Sequence, residues 1–168
     1  MKTPFQLTVL DAEIDRSTFN CGSEPLDRYL REQVSQDIRR RITVCFVALT
    51  GQQRIAGYYT LAAASVLLSD LPPDILKKLP RYPTVPVVRL GRLAVDLSFQ
   101  KQGLGGALLA DALSRSIRSD IAAYAMIVEA KNEIAVTFYR HHGFLPLPET
   151  SDTLFLPLAS WMGRSKHL

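Results

Sequence analysis

The sequence predicts an α/β protein with a mixed central sheet of about six or seven strands flanked by helices. Three observations predict it. Strand-like alternation opens the chain at Phe5–Leu10, and β-forming residues fill Thr43 to Ala64 with one break at Gly51-Gln52-Gln53. A valine-rich run, Val85–Val95, then leads through a glycine-rich turn into a helical pattern.

In chain order, the first strand is Phe5–Leu10. Ser23 is placed to cap a helix with Pro25 in its first turn, and Leu26, Tyr29, Leu30, Val34 and Ile38 recur at helical spacing to Arg41. Strands at 43–50 and 54–64 follow, joined by a hairpin at Gly51-Gln52-Gln53. Residues 71–86 carry Pro72, Pro73, Pro80, Pro83 and Pro86 and read as a long excursion with one short helix, Asp74–Leu79. After the strand at 85–95, a helix runs over 103–119 with Leu104, Ala107, Leu108, Ala112 and Ile117 on one face. A strand at 124–128 precedes a helix capped by Asn132, which runs to His142 and ends at Gly143. Strands at 144–146 and 153–158 complete the sheet.

At 168 residues, with 47% hydrophobic and 21% charged residues, the chain reads as a single globular domain over 1–168 rather than a disordered segment. Asp11 interrupts the amino-terminal region before any signal-peptide core forms, and Leu61–Leu68 is too short to span a bilayer. Cys21 and Cys45 lack metal or redox spacing, and Cys45, inside an apolar run, reads as a buried structural thiol. A cytoplasmic protein is the expectation.

The net charge of +4 is unevenly placed. Lys77, Lys78, Arg81, Arg89 and Arg92 lie in a stretch without acids, and Arg39, Arg40 and Arg41 form a second run. Either run alone suits solvated surface or helix-end charge. Two in one small domain suit a polyanionic partner.

The central signal is Arg92-Leu93-Ala94-Val95-Asp96, then Gln100-Lys101-Gln102-Gly103-Leu104-Gly105-Gly106 opening a helix. Free N–H groups and the positive end of the dipole make such a turn a site for pyrophosphate. No Gly-Lys-Ser/Thr follows, which excludes a P-loop, and the spacing is not that of a dinucleotide fold. A tight turn without ligand remains the structural alternative.

A second constellation follows at Asn132-Glu133-Ile134-Ala135-Val136-Thr137-Phe138-Tyr139, closed by Gly143-Phe144. Together, Gln-x-x-Gly-x-Gly and Asn-x-x-Ala-x-x-Phe-Tyr resemble the GNAT N-acetyltransferases over Val87–Phe144. The resemblance implies the GNAT fold, acetyl-CoA as co-substrate and no metal. It implies that the backbone of Leu93, Ala94 and Val95 pairs with the pantetheine arm. The loop from Gln100 through Lys101, Gln102, Gly103, Leu104 and Gly105 to Gly106 holds the pyrophosphate, Asn132 lies near the pantetheine, and Tyr139 faces the thioester sulfur.

A phenol with an ordinary pKa of about 10 suits donation to a departing thiolate, although an aromatic beside Phe138 is also an ordinary core residue. Phe138 is assigned to the core and Tyr139 to catalysis. No strong general base stands out. His141 and His142 lie about 100° apart on a helix and read as helix-end residues. Glu129 reads as a solvated strand-end residue and Asp96 as a turn residue. An α-amine titrates near pH 8, so the lack of a base matters less for such a substrate.

Phe19-x-Cys21-Gly22, Leu26-Asp27-x-Tyr29-Leu30 and Arg92–Asp96 resemble the GNAT toxins of bacterial type II toxin–antitoxin systems. Lys101 departs from the small residue common at that position. The resemblance implies acetylation of the α-amino group of aminoacyl-tRNA, blocked translation and a homodimer. It also implies a ribbon-helix-helix antitoxin, with operator DNA bound through the complex to repress the operon. Arg39, Arg40, Lys77, Lys78, Arg81, Arg89 and Arg92 would then meet tRNA phosphates. Two alternatives stand beside this reading. One is an enzyme for a free small amine or protein N-terminus, which an acidic cleft rim would favour. The other is a non-catalytic acetyl-CoA-binding module.

Overall fold

A computed structural model describes residues 4–150 and 152–165. Seven strands, β1 (Gln6–Val9), β2 (Val44–Leu49), β3 (Ile55–Leu67), β4 (Thr84–Val95), β5 (Ala125–Glu129), β6 (Leu145–Pro146) and β7 (Thr153–Pro157), form one sheet. Their order is β1-β2-β3-β4-β5-β7-β6. The helices are α1 (Glu24–Arg28), α2 (Val34–Arg39), α3 (Pro73–Leu76), α4 (Leu104–Arg118), α5 (Glu133–His141) and α6 (Leu158–Ser165). The α/β class and the strand number match the expectation. No helix among the described residues is long and apolar enough to cross a membrane.

The chain groups into two compact units, Met1–Ala62 with Leu90–Ala112 and Ala63–Arg89 with Leu113–Leu168. In the first, β1 pairs antiparallel with β2, and β2 with β3, from Val44 opposite Leu61 to Leu49 opposite Ile55. The residues of β3 from Ile55 to Leu61 are buried, and beyond them burial alternates along the strand. Phe19, Tyr29, Leu30, Val34, Val47, Tyr58 and Ala94 build the core of this unit. In the second unit, β5 pairs with β7 and β6 with β7, all antiparallel. Its core joins Leu71, Val85, Val87, Ala125, Ile127, Leu147 and Phe155.

Four elements depart from the sequence reading. The helix predicted to Arg41 is interrupted by a π-helical turn at Tyr29–Gln33, in which the Val34 N–H reaches Tyr29 O. Tyr29, Leu30 and Val34 are all buried there, and the wider turn shifts the helical phase between them. That helix ends at Arg39. Arg41 has left the helix at φ 59°, and the Ile42 N–H bonds back to Asp37 O, so the residue in the left-handed closing position is not glycine. Buried positions of β4 change phase, from Val85 and Val87 to Leu90 and Ala94, so one alternation does not describe the strand. The strand expected to reach Leu158 stops at Pro157, and α6 begins there.

Candidate active site

The turn after β4 is built around Asp96. This residue is 1% exposed. Its carboxylate accepts from the N–H of Asn20 (3.0 Å) and of Ser98 (2.9 Å) and from Arg54 Nη2 (3.2 Å). Its own N–H donates to Ala56 O at 2.8 Å. The sequence reading of Asp96 as a turn residue holds, and its ion pair with the exposed Arg54 is an addition. The carboxylate itself is buried, and the two backbone donors offset its desolvation. Arg54 also lies 5.2 Å from the Phe99 ring centroid.

Next comes the glycine loop. Lys101 and Gly103 both take the left-handed conformation, at φ 64° and 81°. Gly103 does so at no steric cost, whereas Lys101 has a Cβ that must be tolerated there. The departure at Lys101 is therefore a matter of backbone shape as well as charge. The first bond of the following helix runs from the Ala107 N–H to Gly103 O at 3.1 Å. The N–H groups of Leu104, Gly105 and Gly106 precede that bond, have no partner inside α4, and carry the positive end of the dipole. Gly57 on β3 brings this helix close. A Cβ there would meet Leu108 Cδ1 at 2.9 Å and Ala94 O at 3.0 Å. Sequence reasoning passed over Gly57, and only an isolated glycine inside a strand pattern could have pointed to it.

The Gln100 side chain, expected among the cofactor-binding groups, is engaged with protein. Its Nε2 donates to Val95 O at 2.9 Å and to Cys21 O at 3.3 Å. Leu93 and Val95 are half-buried, and Ala94 lies in the core.

The second unit supplies Asn132 and Tyr139. Asn132 caps α5, its side-chain oxygen accepting from the Ala135 N–H at 2.9 Å, which leaves its NH2 group free of that role. Tyr139 is 8% exposed and packs between Phe138 (centroids 5.1 Å) and Phe144 (5.4 Å). The assignment of Phe138 to the core is thus turned around, because Phe138 is half-buried and Tyr139 the more enclosed. No buried side-chain N or O lacks a partner among the described residues, and Tyr139 makes no side-chain hydrogen bond. Burial pushes the phenol up to about 12, so it stays protonated through the neutral range.

The remaining residues fall out simply. Glu129 is exposed. His141 and His142 end α5, and burial and the His141 charge hold His142 below the usual imidazole range. Burial raises the Cys45 thiol to about 12, in keeping with a structural role. In the first unit Arg39, Arg40 and Arg41 are exposed, and in the second Lys77, Lys78, Arg81 and Arg89 are exposed. Arg92 differs from them. Its guanidinium stacks 3.4 Å from the Tyr29 centroid, and the Tyr29 hydroxyl donates to Asp37 Oδ2 at 2.7 Å.

Residues 20–152 match the profile of the Acetyltransferase (GNAT) domain. The chain belongs to the GNAT acetyltransferases. It is 36% identical over 152 residues to a tRNA-acetylating toxin of Mycobacterium tuberculosis, covering 89% of this chain and 88% of that one. The structure of AtaT complexed with acetyl-methionyl-tRNAfMet is similar at a TM-score of 0.86, with 34% identity, covering 96% of this chain and 99% of that chain. A mutant of the toxin AtaT bound to the C-terminus of the antitoxin AtaR and acetyl-CoA is similar at 0.77, with 31% identity and coverage of 94% and 96%.

Proposed function

We propose that the protein is a toxin that transfers the acetyl group of acetyl-CoA to the α-amino group of an amino acid esterified to tRNA, and so blocks translation. The observation that carries this reading is the kinship, over most of both chains, with the mycobacterial tRNA-acetylating toxin.

The site residues then take the following roles. Amides from Lys101 to Gly106 receive the pyrophosphate, with Gly103 keeping side-chain bulk out of the way. The backbone of Leu93, Ala94 and Val95 pairs with the pantetheine arm, and the NH2 of Asn132 stands near it. The neutral amine attacks the thioester carbon, a C–N bond forms, and the C–S bond breaks. Tyr139 donates a hydrogen bond to the leaving sulfur as charge develops there. The ammonium proton on the product nitrogen passes to solvent. Esterification lowers the amine's basicity below that of a free amino acid, so a useful fraction is neutral without a dedicated base.

The exposed basic side chains of both units, Arg39 and Arg40 in one and Lys77, Lys78, Arg81 and Arg89 in the other, meet tRNA phosphates. The partner is a ribbon-helix-helix antitoxin, with operator DNA bound through the complex. The toxin is a homodimer in the bacterial cytoplasm.

One feature favours acetylation of a free amine instead. A cavity of about 520 Å³ in the first unit is lined in part by Asp11, Glu13 and Asp15. Two of these carboxylates serve local turns, Asp11 accepting from the Glu13 N–H and Asp15 from Ser17 N–H and Oγ. That use weakens the case for a cation site. Labelled acetyl-CoA incubated with aminoacyl-tRNA, and with the same tRNA stripped of amino acids, decides between them. Label enters the charged pool alone as N-acetyl-aminoacyl-tRNA. Label on free polyamines with none on charged tRNA would replace this function with the free-amine reading.

A further inference from the structure

The Phe19-x-Cys21-Gly22 segment has no task in the chemistry above, yet the backbone of Asn20 and Cys21 is fully engaged. Asn20 N–H donates to Asp96 Oδ2, and Asn20 O accepts from the Leu97 N–H at 2.8 Å. Cys21 N–H donates to Asp27 Oδ1 at 2.9 Å, and Cys21 O accepts from Gln100 Nε2. An irregular segment with every N–H and C=O of two successive residues partnered is held in one conformation. Asp96, Leu97 and Gln100 all belong to the connection between β4 and α4. On the other side stands Asp27, 4% exposed on α1.

Gln100 sits where this matters most. One side-chain amide joins the end of β4, through Val95 O, to Cys21 O. The next residue is Lys101, a non-glycine residue held in the left-handed region. Such a conformation persists only where neighbouring contacts over-determine it. Releasing Gln100 lets Lys101 relax toward an ordinary conformation, which turns the loop's N–H groups away from a common focus.

We propose that Gln100 and Asp27 are positioning residues which, through Cys21, hold the glycine loop in the form that receives the pyrophosphate of acetyl-CoA. The proposal rests on the assignment of that loop to the pyrophosphate. Asp27 acts at one remove: its carboxylate fixes the Cys21 N–H, and that orientation presents the Cys21 carbonyl to Gln100.

The test measures dissociation constants of the full chain for acetyl-CoA and for S-acetyl-pantetheine, which has no pyrophosphate. Gln100→Leu weakens acetyl-CoA roughly tenfold, the scale of one to two lost hydrogen bonds, and leaves S-acetyl-pantetheine unchanged. Asp27→Ala does the same, and Asp27→Asn restores wild-type affinity, because its amide oxygen still accepts from the Cys21 N–H. Equal weakening of both ligands, in step with a lowered melting temperature, would make the role merely structural and overturn the proposal. Gly103→Asp separates the two levels of the argument. If it abolishes acetyl-CoA binding while Gln100→Leu binds normally, the positioning role alone is refuted. If Gly103→Asp binds acetyl-CoA normally, the loop assignment falls and the proposal with it.

Discussion

Replacing Tyr139 by phenylalanine removes one hydroxyl and leaves the ring between Phe138 and Phe144. Because that hydroxyl makes no side-chain hydrogen bond among the described residues, no partner there is orphaned, and the melting temperature does not fall. The catalytic cost is larger. With the phenol at about 12 and an ordinary thiol near 8.5, complete proton transfer to the thiolate is uphill by about 5 kcal/mol. On the proposed assignment, Tyr139 stabilises the leaving sulfur by a hydrogen bond to developing charge rather than by full protonation. A single such donor contributes about 2.7 kcal/mol, or roughly 10²-fold in rate. Single-turnover acetylation with saturating acetyl-CoA isolates this step. The rate falls about 10²-fold while acetyl-CoA affinity and the melting temperature hold. The pH profile supplies a second reading: the rate rises as the amine deprotonates below about pH 8, with no falling limb until the phenol titrates near 12. Undiminished turnover in a folded Tyr139→Phe protein would refute the reasoning, and a falling limb near pH 9 would refute the raised phenol.

Gly103→Asp places a carboxylate at φ 81° beside the phosphate cradle. Strain and repulsion together abolish measurable acetyl-CoA binding by calorimetry, with the fold checked by circular dichroism. Arg89→Glu, on an exposed side chain, weakens use of charged tRNA, makes its salt dependence shallower and spares acetyl-CoA binding. Arg92→Glu lowers the melting temperature as well, because it removes the cation stacked on Tyr29. Native stability is level from pH 7 to 9 and falls above that. The Cys45 thiol and the Tyr139 phenol are both raised to about 12 in the fold, from 9.0 and 10.0. Each group's contribution is thus complete below its unfolded pKa and lost as pH climbs toward 12. Urea midpoints across that range check it.

The glycine loop, the Asn132 cap and the stop at Gly143 were all legible from residue order. Each answers a demand made by near neighbours: a left-handed residue, an orphan N–H, the end of a helix. The paired loop and Tyr139 motifs carried the family for the same reason, since their spacing is local. Other features were decided by tertiary structure. Asp96 read as a turn residue and is one, but its partner Asn20 lies 76 residues away in the chain, and the Gln100 side chain meets Cys21, 79 residues away. Arg92 read as one of a basic run, and its stacking on Tyr29 became visible only in the fold. The π-helical turn and the phase change in β4 both come from the shape of the core they fill. So does the burial that keeps Tyr139 protonated. Periodicity records which face of an element is apolar, and it carries no term for which distant group will meet that face.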